Sequence, residues 1–245
     1  MKQITNIFTL ILSIFIFGMA CKKSTGTGTT NAALPAVFSK FNNSVQVYVD
    51  GNFVVLKSNG IPDHKSPYFA TTDSRYEAYN GTGTFHQNPN FIAIQNLTFK
   101  IPLTPAINSV HEATPLGPIG ISINGVPLFN QYAGPNTALT NEIYSFDQYG
   151  GHPQQQGQYH YHVEPLYITA QKGKDALLGF LLDGFPVYGP KENGVILTSA
   201  DLDAYHGHTS ATADYPSGIY HYHITADAPY INGSGFYGTK GSVTQ

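Results

Sequence analysis

Gly157-Gln158-Tyr159-His160-Tyr161-His162-Val163 is answered later in the chain by Gly218-Ile219-Tyr220-His221-Tyr222-His223-Ile224. Outward from these two stretches, the preceding elements also come twice and in the same order. Ile121-Ser122-Ile123-Asn124-Gly125-Val126-Pro127-Leu128-Phe129 opens one copy, and Phe180-Leu181-Leu182-Asp183-Gly184-Phe185-Pro186-Val187-Tyr188 opens the other. Gly134-Pro135 and Gly189-Pro190 follow, and then an Asp-x-Tyr-x-Gly-His element, Asp147 to His152 and Asp203 to His208. The offset is 59 residues between Asn124 and Asp183, 56 between Asp147 and Asp203, and 61 between His160 and His221. Copies that keep step this closely mark an internal duplication.

The local grammar of each copy is an apolar run, a turn at Asn-Gly or Asp-Gly, and a second apolar pair after a proline. That pattern predicts a hairpin or a sharp strand corner. Thr140, or Thr198 with Ser199, is placed to cap a short helix with Glu142 or Asp201 in its first turn. Gly151 or Gly207 is placed to end that helix in the left-handed region. His152 and His208 would then leave a helix end, and the Tyr-His-Tyr-His strand closes each copy.

Composition points the same way. With Gly 25, Pro 16, Tyr 17 and Phe 15 against only 11% charged residues, the chain reads as a turn-rich β protein. The expectation is a mainly β, sandwich or barrel-like domain with a duplicated, pseudo-two-fold core and short helices. The duplicated domain would span 117–240, with repeats at about 120–169 and 179–225. Residues 35–116 form an N-terminal β segment expected to pack on that core, with strands at Val45–Val49, Phe91–Ile94 and Leu97–Ile101; a small separate domain ending near Pro115–Pro118 is the alternative. A net charge of −3 without a basic stripe speaks against nucleic acid as a partner.

Lys2, the apolar run Ile7–Phe17 and Gly18-Met19-Ala20-Cys21 read as a signal peptide over 1–20, too short to span a bilayer. The small residues before Cys21 resemble a lipoprotein cleavage box, which makes Cys21 the lipid attachment point; an ordinary cut after Ala20 is the alternative. Residues 21–34 then form a flexible tether. The expectation is an exported, membrane-anchored lipoprotein on the periplasmic face, with the cell surface as the other location. As the sole cysteine, Cys21 allows no disulfide within the chain.

Alternation along a strand sends Tyr159, Tyr161 and Val163 to one face and His160 and His162 to the other; Tyr220, Tyr222, Ile224, His221 and His223 divide in the same way. Two residues of rise, about 6.6 Å, let imidazole arms lean together onto one ion at about 2.0–2.1 Å. If the last strands lie near a pseudo-two-fold axis, His160, His162, His221 and His223 face one another, and His152 and His208 complete the shell. Imidazole suits a transition metal, zinc or copper. Asp147 and Asp203 are candidates to accept the remaining ring N–H of a ligand.

Other readings stand beside this one. Histidines also sit in aromatic networks satisfied by tyrosine hydroxyls or carbonyls, which would make this a structural lipoprotein. The abundant tyrosine and asparagine would equally suit a metal-free cell-envelope module that binds carbohydrate or peptide. An enzyme needs an open coordination position with a nearby acid or base, whereas a store closes its shell. Turn chemistry accounts for Asn124 and Asp183. Glu164, whose counterpart is Thr225, is a one-sided candidate acid or base. His64 reads as a loop residue, and His86, His111 and His206 as ordinary surface residues. The chain carries no nucleophile elbow, phosphate loop or dinucleotide fingerprint.

The two Tyr-His-Tyr-His stretches, with Leu182-Asp183-Gly184-Phe185-Pro186-Val187-Tyr188-Gly189-Pro190 between them, resemble the YHYH domain family over about 117–240. Ile61-Pro62-Asp63-His64 resembles what such proteins carry upstream. The resemblance implies membership of that family and supplies neither a reaction nor a substrate.

Overall fold

The computed structural model describes Met1 and residues 32–245. The expected signal peptide, the lipid site at Cys21 and the tether up to Asn31 lie outside the described residues. Among the described residues no helix is long and apolar enough to cross a membrane.

Among the described residues the strands are short and sixteen in number: β1 Gln46–Asp50, β2 Phe53–Ser58, β3 Leu97–Pro102, β4 Pro118–Ser122, β5 Pro127–Phe129, β6 Tyr132–Ala133, β7 Thr137–Ala138 and β8 Gly151–Pro153. They continue with β9 Tyr159–Tyr161, β10 Leu177–Leu181, β11 Pro186–Tyr188, β12 Lys191–Glu192, β13 Val195–Ile196, β14 Gly207–Ser210, β15 Ile219–His223 and β16 Ser242–Thr244. The α-helix α1, Leu166–Lys172, joins the repeats. A four-stranded sheet runs β1-β2-β3-β16, and an eight-stranded sheet runs β14-β15-β11-β10-β4-β5-β9-β8.

The order of the large sheet is a palindrome of the duplication. β4 and β10 are equivalent first strands and pair antiparallel at its centre; outward from them stand β5 and β11, β9 and β15, and β8 and β14. Ile121 pairs with Phe180, its own counterpart 59 residues on, so the pseudo-two-fold passes through that pair. The equivalents Gly120 and Gly179 flank it. A Cβ at Gly120 would stand 2.4 Å from the Phe180 carbonyl oxygen, and one at Gly179 2.2 Å from that of Ile121. Glycine at both positions lets the two copies close on each other.

The two larger sheets share one main core, as in a sandwich, and among the described residues no sheet closes into a barrel. Val54, Leu56, Leu97, Phe99 and Ile101 of the small sheet belong to the same buried cluster as Ile119, Ile121, Phe180, Tyr161 and Tyr222 of the large one. β3 shows the alternation behind this, burying Leu97, Phe99 and Ile101 and leaving the residues between them half-exposed. Phe38 stacks on Phe180 with ring centroids 4.6 Å apart. Each such fully buried side chain contributes about 1.5–3 kcal/mol.

Three local expectations are corrected. Phe91–Ile94 is not a strand: its amides bond to scattered loop and turn carbonyls, Ile92 to Tyr68 and Ala93 to Gly157. The expected helices are single 3-10 turns, Glu142–Ser145 entered from Asn141 and Ser199–Asp201 entered from Thr198. Gly151 and Gly207 do not end them in the left-handed region. That conformation falls on the preceding residues, Gly150 (φ 85°) and His206 (φ 73°), while Gly151 and Gly207 begin β8 and β14.

Candidate metal centres

Strand register assembles the histidines. Tyr159 and Tyr161 of β9 belong to the core cluster, His160 alternates with them, His162 follows directly after the strand, and antiparallel β8 sets His152 opposite His160. In the second repeat, β15 presents His221 and His223, and β14 sets His208 opposite His221.

The expectation of one shared site is corrected by the sheet order. β9 and β15 each lie third from the pseudo-two-fold axis, on opposite sides of it. Five inter-strand steps separate them, about 24 Å along the sheet. All six expected histidines are used, but as two trios, one per repeat: His152, His160 and His162, and His208, His221 and His223 with Glu192.

In the first trio the Nε2 atoms converge. His160 Nε2 is 3.1 Å from His152 Nε2 and 3.0 Å from His162 Nε2. His160 Nδ1 lies 3.1 Å from the Gln158 carbonyl and His162 Nδ1 2.6 Å from that of Asn130. A carbonyl only accepts, so both rings carry their proton on Nδ1. Ser145 donates its hydroxyl to the Glu142 carbonyl, which leaves its oxygen, 2.7 Å away, to accept from His152 Nδ1. The Asn88 side-chain amide also lies 3.5 Å from His152 Nδ1. The lone pairs of His160 and His162 therefore meet, with His152 Nε2 beside them, in a pocket where the rings are at most 4% exposed.

Lone pairs at that spacing repel unless a cation lies between them. Burial opposes a proton: it pushes His152 down to about 3 and His162 to about 4, and holds His160 well below the ordinary imidazole value. A metal ion fits better, since tetrahedral Zn–N bonds of about 2.05 Å separate their nitrogens by about 3.3 Å. Phe129 stacks on His160 at 3.9 Å and Phe146 on His162 at 5.7 Å, closing the pocket.

The second trio repeats the device. His221 Nδ1 is 2.9 Å from the Ile219 carbonyl and His223 Nδ1 is 2.8 Å from that of Gly189. Ile219 and Gly189 are the repeat counterparts of Gln158 and Asn130. Among the described residues, the Nε2 atoms of His208, His221 and His223 are buried without a hydrogen-bond partner. Glu192 Oε2 lies 3.1 Å from His208 Nε2 and Oε1 3.6 Å from His221 Nε2. Burial pushes the Glu192 carboxyl up, but the Ser210 hydroxyl and the three imidazoles outweigh it and hold the group below its ordinary value. The sequence reading missed Glu192; the only signal was its place just after Gly189-Pro190.

The family model described as YHYH protein matches residues 98–195 and 191–235, more than half of the chain. This chain belongs to the YHYH family. No curated protein and no solved structure shows a match to it.

In this YHYH protein the tyrosines of the motif are structural. Tyr159 donates to Asp147, 2.9 and 2.8 Å from the two carboxylate oxygens, and Tyr220 donates to Asp203 at 3.0 and 3.1 Å. Asp147 and Asp203 thus hold tyrosine hydroxyls on the core face, and the expected bond to a ligand imidazole is corrected: backbone carbonyls do that work. Asp183 makes its expected turn contact with the Phe185 amide at 3.3 Å and also accepts from Tyr222 and the Gly238 amide.

Two histidines expected at the surface or in a plain loop are buried. His64 lies 3.1 Å from the Tyr161 hydroxyl through Nε2 and among Tyr149, Tyr159 and Tyr167. His206 is 1% exposed and holds the His223 carbonyl 2.8 Å from its Nδ1. His111 is half-buried and stacks on Tyr205 at 4.1 Å, while His86 is exposed as expected. Glu164 pairs with Lys174 at 3.4 Å and belongs to neither trio.

Proposed function

We propose that this YHYH protein is an exported metal-binding lipoprotein that holds one transition-metal ion, zinc or copper, in each repeat. Lipid on Cys21 would anchor it to the periplasmic face of a membrane, with the tether 21–34 between anchor and domain. The observation that carries the metal reading is the Nε2···Nε2 approach at 3.0 Å between His160 and His162, rings whose Nδ1 protons are already committed to backbone carbonyls. A purely structural histidine network would place a donor against an acceptor at such contacts. Here acceptor faces acceptor.

Backbone carbonyls fix the tautomer and the ring orientation before a metal arrives, so little ordering is left to oppose binding. The test is elemental analysis of the purified protein, expected to find close to two equivalents. His160→Ala and His221→Ala should each remove one equivalent. A protein that arrives metal-free and takes up neither zinc nor copper at neutral pH would sink the reading. Anchoring is checked separately by incorporation of labelled fatty acid, which Cys21→Ala should abolish.

A further inference from the structure

We infer that the two centres are unequal: the second-repeat centre is open and its metal accepts a small anionic ligand from solvent, whereas the first-repeat centre is sealed. This rests on the metal-binding reading above. The difference arises at one pair of equivalent positions; beside the first trio Glu142 Oε2 stays 3.9 Å from His152 Nε2 and does not join the three converging nitrogens. Glu192 on β12 corresponds, 59 residues back, to Ala133 on β6. Ala133 is packed with Leu139 and Phe146 in the apolar cluster that closes over the first trio. In the second repeat that hairpin brings a carboxylate to the histidines instead of a lid.

The second trio also faces space. A cleft of about 720 Å³ has His221, His223 and Glu192 in its wall, a size that suits a small-molecule ligand. Tyr188, which replaces the stacked Phe129, meets His221 edge-on at 5.2 Å instead of stacking on it, and although His221 is itself buried, the His208 and Glu192 side chains keep 29% and 18% of their surface exposed. A dication held by three neutral imidazoles and one carboxylate keeps a charge of +1. Besides Glu192, the cleft carries Lys40, Lys172 and Lys191 against Asp175 and Asp214. The charge around the ion is therefore positive, which favours an anion. A carboxylate ligand also shifts metal preference toward harder ions and larger coordination numbers than an all-imidazole site, leaving positions for an exogenous donor.

Azide on the copper-loaded holoprotein provides the test, read by the azide-to-copper charge-transfer absorption. The expected result is one azide-responsive copper for every two bound. The band should vanish in His223→Ala, which keeps one copper, and persist in His162→Ala. Lys191→Glu, at a half-exposed position outside the trio, keeps the test decisive if a histidine variant fails to fold: azide affinity should fall several-fold at low salt and recover as salt screens the charge. Two coppers that both respond, neither responding, or a response unchanged by Lys191→Glu at low salt would overturn the inference while leaving the metal reading intact. Failure to bind copper or zinc at all overturns the metal reading and this inference with it.

Discussion

Tyr222 donates its hydroxyl to Asp183 across 2.6 Å, whereas its counterpart Tyr161 accepts at 3.1 Å from the side-chain amide of Asn124. The two repeats solve the same packing problem with opposite donor directions. Tyr161 is left to donate to His64 Nε2, whose other nitrogen is committed to the Lys65 carbonyl. Burial keeps that imidazole below its ordinary pKa and so able to accept.

A pH dependence follows for Asp183. Burial raises its carboxyl to about 6 in the fold, against 3.8 for the exposed group, although three hydrogen bonds pull the other way. Between these values the folded chain binds the extra proton. The stability from this group is therefore complete below about pH 4 and is lost as pH rises through 6, a difference of about 3 kcal/mol for a shift of this size. Asp183→Asn should lack this slope. Denaturant unfolding of both proteins from pH 4 to 7 checks it; parallel curves would refute the assignment.

Asp147 serves more donors than Asp203, and under deeper cover. Both carboxylates take a tyrosine hydroxyl and two backbone amides, but Asp147 alone also takes the buried Ser66 hydroxyl, at 2.6 Å. Each buried donor left without a partner costs about 1–3 kcal/mol. Asp147→Ala should therefore lose roughly 3–5 kcal/mol in chemical denaturation, and Asp203→Ala at its exposed position roughly 1 kcal/mol. Equal losses would show that burial does not set the difference.

Glycine at the start of β8 and β14 is required by close approach. A Cβ on Gly151 would stand 2.5 Å from the Tyr159 ring carbon bearing the hydroxyl, and one on Gly207 2.4 Å from the His221 carbonyl oxygen. Alanine at either position forces apart the strands that pair His152 with His160 or His208 with His221. We expect a stability loss of about 1–3 kcal/mol. Competition with a chelator should show weaker metal retention in the altered repeat alone; unchanged retention there would mean the trio tolerates a displaced strand.

Much of this could be read before any coordinates. Strand alternation put the tyrosines of β9 and β15 in the core and the histidines on the other face, and the Asp-x-Tyr-x-Gly-His elements supplied His152 and His208 to the same trios. What escaped was contact between residues distant in sequence. Glu192 reaches His208 because a hairpin folds over β14, and His206 is buried because the β15 carbonyls need a donor; neither has a local periodicity to announce it. Asp147 and Asp203 serve the phenols of Tyr159 and Tyr220, 12 and 17 residues on, and the Asp-x-Tyr-x-Gly-His element looks the same whether its carboxylate meets those or an imidazole.

The sequence by itself determined that the chain is duplicated, that each copy ends in a strand with two histidines on one face, and that a third histidine precedes that strand in each copy. These are matters of repeat and period, which a linear chain carries openly. Only the tertiary structure decided that there are two centres and not one. Antiparallel pairing of β4 with β10 places the pseudo-two-fold at Ile121 and Phe180, and each added strand moves the histidines farther from it by about 4.8 Å. Where an axis falls in a sheet depends on which strands pair, and that is set by burying both repeats against a common core.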